Sequence, residues 1–339
     1  MKQDILAMLP NELETLVLQL NSPKYRATQI FEWLHSRFAV SFDVMDNLPK
    51  SLRQQLSEVC YIPLCQPIET LVSEKDSTKK FLFALSDDLL IEAVLMEYSF
   101  GNSVCISTQA GCKMGCKFCA SGADGLIRNL TAGEMLAQVY AAKQEKISGV
   151  VLMGCGEPLD NFDNVVRFLE LISHPKGLNI GKRHITISTC GLVPQIKKLA
   201  NLQLPINLAI SLHATDDQLR QTIMPIAKKY SIYQLLEACR YYTQLTNRRI
   251  TFEYALISNL NDSPNHAMQL AKLLEDILCH VNLIPVNMTN AEFLPTLREH
   301  SEKFMKILQE NDINATIRRT MGEDLDAACG QLRAKKMQI

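Results

Sequence analysis

At 339 residues the chain is long enough for two domains, or for one large α/β domain with an appendage, at about 100–200 residues per domain. Its 47% hydrophobic and 21% charged residues exclude a largely disordered, collagenous or low-complexity protein. The formal net charge of −1, from 35 basic and 36 acidic residues, gives no sign of a polyanion-binding protein when taken as a whole.

The opening MKQDILAMLPNELETL carries acids and no apolar run of signal-peptide length, and nowhere do about 18 apolar residues follow one another. A cytoplasmic protein without a membrane partner is expected. Eleven cysteines, an odd number, fit metal-bound or catalytic thiols in a reducing compartment better than a disulfide framework. Residues 1–62 read as a helical accessory domain, from the apolar spacing in ELETLVLQL, RATQIFEWLHSRF and LPKSLRQQL and the turn-like NSPKY and MDNLP between them. Trp33, the only tryptophan, sits on the middle helix and is expected in its core. Residues 63–100 are β-rich: IETLVSE, KKFLFAL and LLIEAVLME, with Ser-Asp-Asp as a turn, predict a hairpin extension.

From residue 101 the pattern changes. Strands VCIST, GVVLM, HITIST, INLAISL, RITFEYALI and HVNLIPV alternate with helical stretches such as AGEMLAQVYAAKQEK, NVVRFLELI, ATDDQLRQTI, YQLLEACRYYTQL and HAMQLAKLLEDIL. Such βα repetition predicts an α/β fold with a parallel sheet, and six units are too few for a closed eight-stranded barrel. NATIRRT is a final strand candidate, and the tail follows at 321–339. Charge is also uneven along the chain. Residues 171–250 hold 11 basic and three acidic residues, a net of +8 that leaves −9 elsewhere, as either an RNA-facing surface or a set of solvated helix faces would show.

The strongest local signal is GCKMGCKFCASG, which places Cys112, Cys116 and Cys119 in a CxxxCxxC loop just after a strand. Three thiolates in one loop can hold three irons of a 4Fe-4S cluster and leave the fourth iron open, with Gly111 and Gly115 allowing tight curvature. Zinc or unligated thiols are the alternatives; no second cysteine pair of the kind that closes a zinc site is visible.

With VCISTQAGCKMGCKFCASG, GLIRNLTAGE, VVLMGCGEPLDN, ITISTCGLVP, ISLHATDDQLR, TFEYALISNLNDSP, VNLIPVN and GEDLDAACGQL in this order, the chain resembles the RlmN/Cfr family of radical S-adenosylmethionine RNA (adenosine) methyltransferases over roughly residues 20–335. The resemblance implies a partial (β/α)6 TIM-like barrel over residues 101–320. It implies a 4Fe-4S cluster on Cys112, Cys116 and Cys119, and S-adenosyl-L-methionine bound by Gly156, Glu157, Ser188, the Ser211-Leu212-His213 run and Asn287. Taken singly, Glu157 would read as an exposed turn acid, Ser188 as a turn or cap residue, and His213 as a satisfied structural histidine.

The same resemblance implies methylation of carbon 2 of an adenosine in 23S rRNA and in tRNA, with carbon 8 or another RNA as the alternative. A non-catalytic RNA-binding protein with a structural zinc is the alternative from another class. An adenine ring C–H carbon is a poor nucleophile toward a sulfonium, so a radical route is needed. By resemblance Cys329 is methylated first by one S-adenosylmethionine, and a second yields a 5′-deoxyadenosyl radical that takes hydrogen from that S-methyl group. Cys105 then releases the RNA adduct, leaving a Cys105–Cys329 disulfide, and Glu92 is the proton acceptor; without the motif, Glu92 would read as a solvent-facing acid on a hairpin. A flavodoxin-type electron donor and a cellular thiol reductant are the further partners implied. The remaining cysteines, Cys60, Cys65, Cys155, Cys190, Cys239 and Cys279, read as packing residues. Two departures stand out: MTNAEFLPTLREH after Asn287 lacks the family's glycine-containing loop, and Cys155 stands where Met is usual.

Overall fold

The computed structural model describes residues 2–99, 101–122, 125–142, 146–285, 293–319 and 321–325. Its N-terminal module has three helices, α1 (Pro10–Gln19), α2 (Tyr25–His35) and α3 (Lys50–Val59). Proline at the first position of α1 removes one of the N–H groups that a helix start leaves unpaired, and the Glu12 carboxylate accepts the Leu9 N–H at 2.8 Å. Gln3–Asp4 pairs in parallel with Cys60–Tyr61, which ties the two ends of the module together. Trp33 is only half-buried: its Nε1 donates to Asn47 Oδ1 at 2.6 Å and the Arg37 guanidinium lies 4.5 Å above its ring. It therefore seals the rim of the module, whose centre is filled by Ile30, Phe31 and Leu34.

Apart from a short antiparallel pair, Gln109–Gly111 with Leu126–Asn129, the remaining strands build one ten-stranded sheet: β1 (Gln66–Val72), β2 (Lys79–Ala84), β3 (Leu90–Tyr98), β4 (Gly101–Cys105), β5 (Ile147–Leu152), β6 (Ile185–Thr189), β7 (Asn207–Ser211), β8 (Ile250–Leu256), β9 (Cys279–Pro285) and β10 (Ala315–Ile317). Their order in space is their order in sequence. Strands β1 to β4 pair antiparallel, so the predicted hairpin region continues the main sheet, and β4 to β10 are all parallel. Seven parallel strands match the six predicted units plus NATIRRT.

Register separates two faces. Val104, Val150, Leu152, Ile185, Ile187, Leu208, Ile210 and Phe252 share one face and are at most 1% exposed. They belong to the core that the helices cover: α4 (Ala132–Ala141), α5 (Phe162–Ile172), α6 (Val193–Asn201), α7 (Asp217–Ile223), α8 (Ile232–Thr246), α9 (Pro264–Leu274) and α10 (Arg298–Glu310). The opposite face carries Ser103, Cys105, Thr186, Ser188, Ser211, Glu253 and Asn282, a polar lining for a lumen. The sequential strand order puts the carboxyl ends of the parallel strands on one rim, where α/β barrels bind ligands.

Candidate active site

The cysteine loop leaves that rim directly after β4. Gly111 has φ +82°, and a Cβ there would overlap the Gly125 carbonyl, which accepts the Cys112 N–H at 2.8 Å; Gly115 has φ +66°. Only glycine follows this curve without strain. The loop is pinned further by the Cys119 N–H to the Cys116 carbonyl at 3.1 Å and by the Lys117 N–H to the Ile223 carbonyl of α7 at 3.0 Å. Burial pushes the Cys112 thiol up to about 12 and the Cys116 thiol higher still, and each feels the negative charge of the other loop thiols. Bound iron would reverse this by displacing the protons. Among the described residues no three His, Cys, Asp or Glu converge on a point that one metal ion could occupy.

Beside the loop, Glu157 is 3% exposed, which overturns its reading as an exposed turn acid. One carboxylate oxygen accepts the Leu159 N–H at 3.0 Å, the other the Cys190 N–H at 2.8 Å, and burial raises its pKa above the ordinary carboxylate value. Gly156 has φ +110° and packs so closely that a Cβ would sit 2.6 Å from the Gln109 Cβ. Ser188 and Ser211 line the lumen at the next strand ends. His213 has φ +58°; its Nδ1 accepts the Ala255 N–H at 2.9 Å and its ring meets Phe118 edge-on at 4.8 Å. Burial, then the Arg220 charge, bring its pKa down to about 3, so its ring is neutral and one nitrogen is already committed to the fold.

Two charged residues complete the site without having been singled out in the sequence. Arg220 on α7 is fully buried; it donates to the carbonyls of Cys190 at 2.8 Å, Ser211 at 3.0 Å and Leu212 at 3.1 Å, clamping the ends of β6 and β7. Its Nη1 is buried with no partner among the described residues. Lys80 on β2, also fully buried, lies 3.4 Å from the carboxylate of Glu92, itself 5% exposed. Glu92 is therefore no solvent-facing hairpin acid. The register Val94↔Cys105 puts Glu92 two residues along β3 from the partner of Cys105, on the same lumen face. Cys105 packs there with Val94, Met96, Met153 and Met321.

Residues 106–271 match the radical SAM superfamily model, and residues 3–62 match the ribosomal RNA large subunit methyltransferase N-terminal domain. A curated relative from Clostridium perfringens (strain 13 / Type A), described as a probable dual-specificity RNA methyltransferase RlmN, is 50% identical over 335 residues, covering 98% of this chain and 96% of its own. One of the same description from Alkaliphilus metalliredigens (strain QYMF) is 53% identical over 338 residues, with 98% and 96% coverage. The chain belongs to the RlmN family of radical SAM proteins. A solved radical SAM methyltransferase from Sphaerobacter thermophilus superposes with a TM-score of 0.94 at 43% identity, covering 98% of this chain and 99% of that one.

The cofactors of the RlmN family are a 4Fe-4S cluster and S-adenosylmethionine, and the curved three-thiol loop beside a buried carboxylate suits both. Two of the expected site residues, Asn287 and Cys329, lie outside the described residues. The basic segment 171–250 forms no single RlmN surface. Lys182, Arg183, Arg248 and Arg249 precede β6 and β8, at the barrel end away from the cysteines, while Arg220 is core and Arg240 pairs with Asp276 at 2.8 Å. Exposed Lys228 and Lys229 follow α7, against which the cysteine loop is pinned. Among the described residues no helix is long and apolar enough to cross a membrane.

Proposed function

We propose that this chain methylates carbon 2 of an adenosine in 23S rRNA and in tRNA, with Cys329 as methyl carrier, Cys105 as resolving thiol and Glu92 as proton acceptor. The observation that carries this reading is the placement of Cys105 and Glu92 on one lumen face, beneath the rim that holds Cys112, Cys116, Cys119 and Glu157. When bound, the cluster and S-adenosylmethionine supply the methyl group and the hydrogen-abstracting radical chemistry.

The chain's own residues do the rest. Cys112, Cys116 and Cys119 would hold the irons, and Glu157 would offer a buried carboxylate to the methionine ammonium. Its retention as a desolvated acid makes sense with a cationic partner at hand. Ser188, the Ser211–His213 run and Asn287 contact the remainder of S-adenosylmethionine. Cys329 bears the methyl-derived carbon and attaches to the adenine through it. Glu92 accepts the ring proton and Lys80 holds that carboxylate in place, while the one electron left over from the radical addition would pass to the bound cofactors, whose redox chemistry supplied it. The thiolate of Cys105 attacks the sulfur of Cys329, the sulfur–carbon bond breaks, and the carbon takes a proton to become the product methyl group. The resulting Cys105–Cys329 disulfide is returned to thiols by a cellular reductant. A flavodoxin-type protein is the electron donor we assign.

Removing each thiol tests the roles separately. Cys105→Ala, incubated with RNA, dithionite and S-adenosylmethionine, is expected to stop as a protein–RNA crosslink located at Cys329 by mass spectrometry. Cys329→Ala is expected to form none. A crosslink in Cys329→Ala, or its absence from a folded, iron-loaded Cys105→Ala protein, overturns the assignment.

A further inference from the structure

We infer that the β1–β2 hairpin tip, residues 73–78, is a clasp that positions the methyl-carrier segment, with Asp76 and Asp324 as its reciprocal hooks. The inference rests on the carrier role of Cys329 proposed above. Three hydrogen bonds join segments about 250 positions apart: Ser73 Oγ to Asp324 Oδ1 at 2.7 Å, the Glu74 N–H to Asp324 Oδ2 at 2.9 Å, and the Gly322 N–H to Asp76 Oδ2 at 2.8 Å. Each aspartate thus grips the other's strand of chain, and both are held below the usual carboxylate range by these bonds, so they accept as anions at neutral pH.

Position gives the clasp its meaning. The chain leaves the edge strand β10, where the Arg318 N–H still bonds the Leu283 carbonyl at 2.8 Å, and reaches the hairpin at the opposite edge of the sheet. On the way Met321 packs on the lumen cluster that contains Cys105. The registers Lys79↔Leu95 and Tyr98↔Gly101 place the hairpin tip at the end where β4 begins, opposite the cysteine rim. Gly322 and Asp324, which lead toward Cys329 in sequence, are therefore held from below.

Chain length bounds the effect. Cys329 is four residues beyond Leu325, the last residue of the clasped turn, so covalent reach keeps it within about 14 Å of that anchor. If the clasp opens and Met321 becomes the last anchor, eight residues intervene, the reach doubles, and the accessible volume grows roughly eightfold. Encounters of Cys329 with its partners in the lumen fall in proportion.

The test uses the full chain with reconstituted cluster, in wild type, Asp324→Ala, Asp76→Ala and Asp324→Asn. Two rates are read. The first is formation of the Cys105–Cys329 disulfide with diamide, which takes up the two electrons and two protons; the second is S-methylation of Cys329, followed by intact mass. Both are expected to fall roughly eightfold in the two alanine variants, with iron content unchanged, and to recover in part in Asp324→Asn, which keeps one oxygen for the Ser73 hydroxyl. If Asp324→Ala does not fold, Asp76→Ala and Ser73→Ala break the same clasp from the hairpin side. Wild-type rates in the folded variants, or no disulfide in wild type, overturn the clasp. A wild type that forms the disulfide at the clasp-dependent rate and never methylates Cys329 instead removes the carrier role and leaves the clasp standing.

Discussion

Arg220 shows what a single buried charge does for this site. Its guanidinium serves three carbonyls at the ends of β6 and β7, which are the same strand ends that present Ser188 and Ser211. Arg220→Met removes the donors and leaves the acceptors buried. At about 1–3 kcal/mol for each acceptor left unsatisfied, the loss is expected to reach about 3 kcal/mol or more, read from chemical denaturation. Arg220→Lys, with one ammonium in place of the fork, is expected to recover only part of it. S-adenosylmethionine binding is expected to weaken in both, because the 211–213 run loses its tie. A methionine variant with wild-type stability and affinity would show that the clamp is dispensable. Nothing in ATDDQLRQTI announces this residue, since an arginine on a short polar helix ordinarily faces water. Cys112, Cys116 and Cys119 were legible because their chemistry is local, three ligands within eight residues. Arg220 and Lys80 were not, because the packing that buries them comes from strands far away in sequence.

At the scale of elements, the alternation of apolar runs and amphipathic stretches revealed the βα order. It singled out neither α6, a nine-residue helix opened by proline at its second position, nor α10, whose buried positions are few. Equally hidden was the seam between the helical module and the barrel. Asp4 accepts the Thr131 hydroxyl at 2.6 Å at the start of α4, and Gly133 leaves room for its carboxylate, which any Cβ there would overlap. Burial, the largest influence, raises the Asp4 pKa from 3.8 to about 6 although its hydrogen bonds pull the other way. The native state therefore holds a proton that the unfolded chain gives up. That contribution is complete below about pH 4 and is lost as pH rises through about 6. The full span is about 3 kcal/mol, because each tenfold difference in proton affinity between the folded and unfolded chain is worth about 1.4 kcal/mol. Asp4→Asn has no such dependence. Its stability relative to wild type is expected to grow in its favour as pH rises from about 4 to about 6.5 and to stay level above. Denaturation midpoints for both proteins across that range decide it, and a constant gap would mean that Asp4 is solvated in solution.

For the molecule as a whole, a segment of sequence is a poor guide to a surface, because each βα unit carries the chain from one end of the barrel to the other and back. The net charge of +8 between residues 171 and 250 is real, yet its members are dispersed: four precede β6 and β8, Arg220 is core, Lys198 and Arg240 are paired with acids, and Lys228 and Lys229 stand exposed beyond α7, against which the cysteine loop is pinned. An RNA whose base enters the rim passes its backbone near the last two. Each phosphate neutralised changes the slope of log affinity against log salt by about 0.7–0.9. Replacing Lys228 and Lys229 together by alanine is therefore expected to reduce the magnitude of that slope by about 1.4–1.8 with a single RNA substrate. The same change at Lys182 and Arg183 is expected to leave it within error, since Lys182 donates to Ser173 Oγ at 2.7 Å and both lie at the far end. Fluorescence anisotropy titrations over a salt series give both slopes. If the Lys182 and Arg183 pair moves the slope and the Lys228 and Lys229 pair does not, the RNA approaches from the end where the strands begin, and the rim loses its place as the entry for the adenosine.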